Sequence, residues 1–108
     1  MAKALPRIPR VVYCPAGPVR VVRVKKVVAP DGVVCWGLWE PTKRVIYLEQ
    51  GLAPEAAYRW YLHELYHAYL DDSNIDLPDK ICERVVDALA TAQVNAMWWR
   101  ISTTRRTP

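Results

Sequence analysis

The chain has 108 residues, 52% of them hydrophobic and 24% charged, with a formal net charge of +4. That length fits one domain with a modest core, and the hydrophobic content excludes global disorder. No apolar run approaches the roughly 18 residues of a membrane span, and the basic start, Met1 to Arg10, lacks the apolar stretch of a secretory signal, so the cytoplasm is the expected compartment.

Residues 1–18 contain Pro6, Pro9, Pro15 and Pro18 and read as an irregular arm over the surface. A domain over 19–99 and a basic tail over 100–108 follow. Val19 to Ala29 alternates apolar and basic residues, Pro30-Asp31-Gly32 is a turn signal, and Val33 to Trp39 is a second apolar run. Together they predict a β-hairpin. Glu40 to Arg44 is a second turn, and Val45-Ile46-Tyr47-Leu48 a third strand, giving a three-stranded antiparallel meander.

A helix over about 54–70 comes next. Pro54 suits a first helical position, Glu55 favours the positive end of the helix dipole, and Ala57, Trp60, Tyr61, Leu65 and Ala68 recur at helical spacing. The acidic loop Asp71 to Asn74 closes it. A second helix opens at Pro78 or Asp79 and ends near Trp98 or Trp99, with Ile81, Val85, Leu89, Ala92 and Ala96 as its expected buried stripe. The fold class is therefore α+β, a three-stranded antiparallel sheet against two helices.

The first helix carries His63-Glu64-Leu65-Tyr66-His67, which has the H-E-x-x-H spacing of zinc peptidases. Residues four apart share a helix face, so both imidazoles can address one Zn²⁺. Glu64 lies about 100° further round the helix, where it can serve as general base on water held by the ion. These are the only two histidines in the chain, so a third ligand comes from a carboxylate or a thiol. Glu83 is the leading candidate because it lies one turn into the second helix; Asp87, one turn later, is either the ligand or an outer acceptor, and Cys82 remains open. Asp71, four residues after His67, either orients that ring or is a solvated carboxylate near the helix end. The tyrosines Tyr58, Tyr61, Tyr66 and Tyr69 at helical spacing read as core, and none is assigned a catalytic role.

Charge is unevenly distributed. Residues 1–44 hold nine Lys/Arg against two Asp/Glu, and residues 45–98 hold three against nine. The acidic half contains the motif, where a cation makes carboxylates favourable; the basic half reads as a solvated strand face, with nucleic acid a weaker alternative. Cys14, Cys35 and Cys82 are odd in number, far apart and without a C-x-x-C pair, so reduced thiols are expected.

With Trp36-Gly37-Leu38-Trp39, the strand Val45 to Leu48, the H-E-x-x-H helix and Glu83 to Leu89, the chain resembles small phage and prophage zinc peptidases of the ImmA/IrrE type over about residues 33–92. The resemblance implies a minimal zincin-like domain, gluzincin-like in its ligands: His63, His67 and Glu83 on zinc and Glu64 as base. It also implies a cytoplasmic protein or peptide as substrate, such as a regulatory protein. The Glu-x-x-Ala-Asp/Asn pattern common after that family's third ligand is absent, since Glu83-Arg84-Val85-Val86-Asp87 stands here. A second expectation, from a different class, is a non-catalytic zinc-stabilised module binding protein or nucleic acid.

Overall fold

A computed structural model describes residues 5–105, with side chains through residue 97. Six strands precede two helices: β1 (Val11–Cys14), β2 (Gly17–Val24), β3 (Val27–Val28), β4 (Val34–Cys35), β5 (Gly37–Glu40), β6 (Val45–Glu49), α1 (Pro54–Asp72) and α2 (Asp79–Arg105). The class is α+β as expected, but the sheet is not a three-stranded meander. Four strands form one sheet in the order β1-β2-β6-β5, and β3 with β4 forms a separate two-stranded ribbon.

The correction has a local cause. Val19 to Ala29 is not one strand: the chain bends at Lys25-Lys26, so only Val27 and Val28 pair with the following run, at Cys35 and Val34. β2 instead lies parallel to β6, with Val21 opposite Ile46 and Arg23 opposite Leu48. A parallel pair needs a long crossover, and β3, β4 and β5 together provide it. β1, inside the segment expected to be irregular, pairs antiparallel with β2. Gly17, at φ +133°, closes the tight turn between them, a conformation that side chains rarely adopt.

One face of the large sheet packs on the helices. Val19, Ile46, Leu48 and Trp39 point from the strands into a core shared with Tyr58, Tyr61, Leu62 and Ala68 of α1 and Ala90 and Val94 of α2. The helices meet on small residues, Ala68 against a flank of α2 made by Val86, Ala90 and Val94, all fully buried. Here the sequence expectation fails: Ile81, Val85 and Leu89 are 50%, 38% and 47% exposed. The buried stripe lies about a third of a turn away from the larger side chains, and α2 continues past Trp99 to Arg105.

α1 begins as the sequence implies, with Pro54 in the first turn and Glu55 beside it, and Ala53 before it makes no side-chain cap. Its other end carries Asp71 and Asp72 where the dipole is negative, an unfavourable placement that the tertiary structure offsets. Arg44 grips Asp72 through two hydrogen bonds, Nη1 to Oδ1 at 2.9 Å and Nη2 to Oδ2 at 2.7 Å. The same guanidinium donates to the Pro18 and Gly17 carbonyls, and the Ala16 N–H donates to Asp72. One arginine thus joins the β1–β2 turn, the β5–β6 turn and the end of α1. Asp71 accepts from the Trp39 indole N–H at 2.7 Å.

Candidate metal centre

The helical spacing of His63 and His67 brings their rings to a centroid separation of 5.0 Å. Glu83 reaches them from α2 across the helix pair. Its Oε1 lies 3.0 Å from His63 Nε2 and its Oε2 lies 2.8 Å from His67 Nε2. His63 is 5% exposed, whereas the Glu83 side chain is 60% exposed, so the cluster is walled by protein on one side and open on the other. A catalytic metal site needs that combination, fixed donors below and a free approach above.

Ligand atoms of His63, His67 and Glu83 all lie within 4.8 Å of one another. Two imidazole nitrogens with a carboxylate oxygen are a donor set that suits Zn²⁺, and the group fits these residues. Burial depresses the pKa of His67, the His63 ring opposes its protonation, and the Glu83 carboxylate works in the other direction. The net shift favours the neutral imidazole, which is the form that binds a metal.

The remaining candidates are also placed. Asp87 faces the other edge of His63, its Oδ1 3.7 Å from Nδ1, which is longer than a formed hydrogen bond. It lies outside the group formed by His63, His67 and Glu83. Asp71 makes no hydrogen bond to His67; its Oδ2 accepts from the Trp39 indole, and only its charge is felt at the ring. Cys82 lies beside the ring, with its sulfur 3.6 Å from His67 Nδ1; burial, then the surrounding carboxylates led by Glu83, raises its thiol pKa. The Trp60 ring packs on His63 at 4.9 Å between centroids. Tyr66 and Tyr69 direct their hydroxyls at Gln93 and the Tyr13 carbonyl, and Tyr58 and Tyr61 are buried.

Glu64 is 6% exposed and lies under β5. Burial pushes its pKa up to about 8, the nearby Glu83 charge adds to the rise, and a hydrogen bond from the Trp39 main-chain N–H opposes it. A dication beside it would favour the carboxylate again. The strand geometry explains the Trp39 bond. Glu49 N–H donates to the Trp36 carbonyl and Gly37 lies opposite Leu48, so alternate residues Gly37 and Trp39 turn their main-chain groups away from β6. β5 is an edge of its sheet, so these groups have no neighbouring strand of that sheet to pair with. A Cβ on Gly37 would come within 3.3 Å of Glu64 Cγ, so this glycine lets the strand settle onto the acid.

Sequence reasoning did not single out Gly37, Trp39 or Arg44 as site-building residues. Gly37 carried a signal, since an isolated glycine inside a strand often marks a close approach. Trp39 and Arg44 act through contacts between distant segments, which local patterns do not encode.

A mixed sheet with two packed helices, and a His/His/Glu cluster beside a buried glutamate, define a zincin-type arrangement with a zinc metallopeptidase-like active site. Comparison with family models, curated proteins and solved structures returns no match for this chain.

Proposed function

We propose that this protein is a zinc-dependent peptidase of the ImmA/IrrE kind, cleaving a peptide bond in a protein or peptide of the cytoplasm. The observation that carries the reading is the convergence of His63 Nε2 and His67 Nε2 on the Glu83 carboxylate, with Glu64 buried next to them. Bound there, Zn²⁺ would supply Lewis acidity, which polarises a carbonyl and acidifies water.

The chain's own groups divide the remaining work. His63, His67 and Glu83 would hold the ion, with the Asp87 carboxylate facing the outer edge of the His63 ring. Glu64 takes a proton from the attacking water on a carboxylate oxygen and returns it to the departing amine. The Trp39 N–H fixes that carboxylate in place. An extended substrate adds as a further strand along β5, taking main-chain hydrogen bonds from Gly37 and the strand edge. Free thiols at Cys14, Cys35 and Cys82 are in keeping with a reducing compartment, and no helix among the described residues is long and apolar enough to cross a membrane.

A second reading, a zinc-stabilised binding module, is favoured by the apolar stripe Ile81, Val85 and Leu89 left exposed on α2. Glu64→Gln separates the two. The peptidase reading predicts that it keeps the metal and the fold and lowers cleavage of an unfolded protein substrate by at least about a hundredfold; cleavage by the variant at the wild-type rate would remove Glu64 from the chemistry.

A further inference from the structure

Zinc bound by His63 and His67 would place a requirement on each ring that the three ligands do not meet. A neutral imidazole that binds through Nε2 carries its proton on Nδ1, and that N–H needs an acceptor to fix the ring. For His63 the facing group is the Asp87 carboxylate. For His67 it is a sulfur: Cys82 Sγ lies 3.6 Å from Nδ1. No carboxylate takes this place, since Asp71 is turned onto the Trp39 indole.

The position of the sulfur also decides against ligation. Glu83 meets His67 at Nε2 and Cys82 meets it at Nδ1, and these two nitrogens project from different edges of the ring. An ion seated among both Nε2 atoms and Glu83 therefore lies beyond the imidazole from the thiol. Adjacency in sequence produces this division. Cys82 and Glu83 are about 100° apart on α2, so one helix turn presents the ligand to one edge of His67 and the sulfur to the other. A thiol is both a weak donor and a weak acceptor. It can accept from Nδ1–H when Nε2 holds metal, and donate to Nδ1 when Nε2 instead bears the proton facing Glu83.

We propose that Cys82 is a positioning residue for the metal site: its sulfur accepts the Nδ1–H hydrogen bond of His67, leaving Nε2 free for the ion, and stays outside the coordination sphere. This rests on the metal reading, and the two fail differently. The experiment compares the full-length wild type with Cys82→Ala and Cys82→Ser. Zinc affinity is measured by chelator competition, the visible and near-ultraviolet spectrum is recorded with Co²⁺ in place of zinc, and the nitrogen resonances of His67 are followed by NMR. The wild type should bind Co²⁺ without an intense sulfur-to-cobalt charge-transfer band. Cys82→Ala should weaken zinc binding about tenfold and shift the Nδ1 resonance, and Cys82→Ser should recover part of both because its hydroxyl also accepts.

A charge-transfer band in the wild type would overturn the proposal by making Cys82 a ligand. Unchanged affinity and an unchanged Nδ1 resonance in Cys82→Ala, or in Cys82→Val should the alanine variant not fold, would overturn it by leaving the sulfur without a role, since neither side chain can accept the hydrogen bond. A wild type that binds neither ion defeats the metal reading itself.

Discussion

Gly37→Ala tests whether β5 and Glu64 act as one unit. The backbone tolerates the change, because Gly37 is not among the glycines with positive φ, but the new Cβ would stand 3.3 Å from Glu64 Cγ and 3.3 Å from Leu48 Cδ2. Comfortable carbon contacts are about 3.5–4.0 Å, so each neighbour must retreat by a few tenths of an ångström. Leu48 is fully buried in the core and has little room, which directs the movement onto Glu64. Overpacking costs about 1–3 kcal/mol, and the reduced freedom of the unfolded chain offsets about 0.4–1 kcal/mol of it. Stability should fall modestly, by roughly 1–2 kcal/mol. Catalysis should fall further than stability suggests, because misplacement by about 1 Å can cost a hundredfold; a shift of a few tenths predicts a loss of about tenfold in kcat/KM. Zinc content should not change, since Gly37 touches no ligand. The assay is cleavage of an unfolded protein substrate at a temperature well below the melting transition, beside urea denaturation and elemental analysis. Full activity in a variant destabilised by this amount would refute the reasoning, because the strain would then have been taken up away from the acid.

Two further predictions concern the frame. Val86 is fully buried at the α1–α2 contact whereas Leu89 is 47% exposed, so Val86→Ala should cost about 2 kcal/mol in urea denaturation and Leu89→Ala less than about 1 kcal/mol; the reverse order would mean that α2 packs on its other face. The Arg44 guanidinium beside Asp72 holds that carboxyl below its usual value of 3.8. A carboxyl with a depressed native pKa adds stability above its unfolded pKa and loses it as pH falls through the native one. The melting-temperature gap between wild type and Asp72→Asn should therefore be full at neutral pH and shrink below about pH 4, and a gap independent of pH would contradict the ion pair.

The metal motif was readable from sequence because its chemistry is encoded within one helix turn: two imidazoles four residues apart, with an acid in the second slot. The start of α1 followed from Pro54, but its end was read about two residues early, because Asp71 and Asp72 were assigned to the closing loop and instead complete the helix. The partner of β2 was not readable. Alternating Val and Arg marks a strand but does not say whether the next strand or a later one lies beside it, and here β6 arrives parallel after a crossover. The buried face of α2 was misread by following side-chain size, although the assignment of Glu83 already contained the answer. If Glu83 faces α1, then residues three, seven and eleven positions later share that side. These are Val86, Ala90 and Val94, small side chains that let the two helices approach closely enough for Glu83 to reach both rings. The exchange of Asp71 and Cys82 around His67 depended on Trp39, a residue distant in sequence whose indole claims the aspartate.

The zinc content of the protein purified without added metal, measured beside His63→Ala, Glu83→Ala and Asp87→Ala, tests the central claim most directly. The account predicts about one ion per wild-type chain, loss of that ion in the first two variants, and retention with weakened affinity in the third. A folded wild type free of zinc and unable to take it up, or a Glu83→Ala protein that holds zinc as firmly as the wild type, would contradict it.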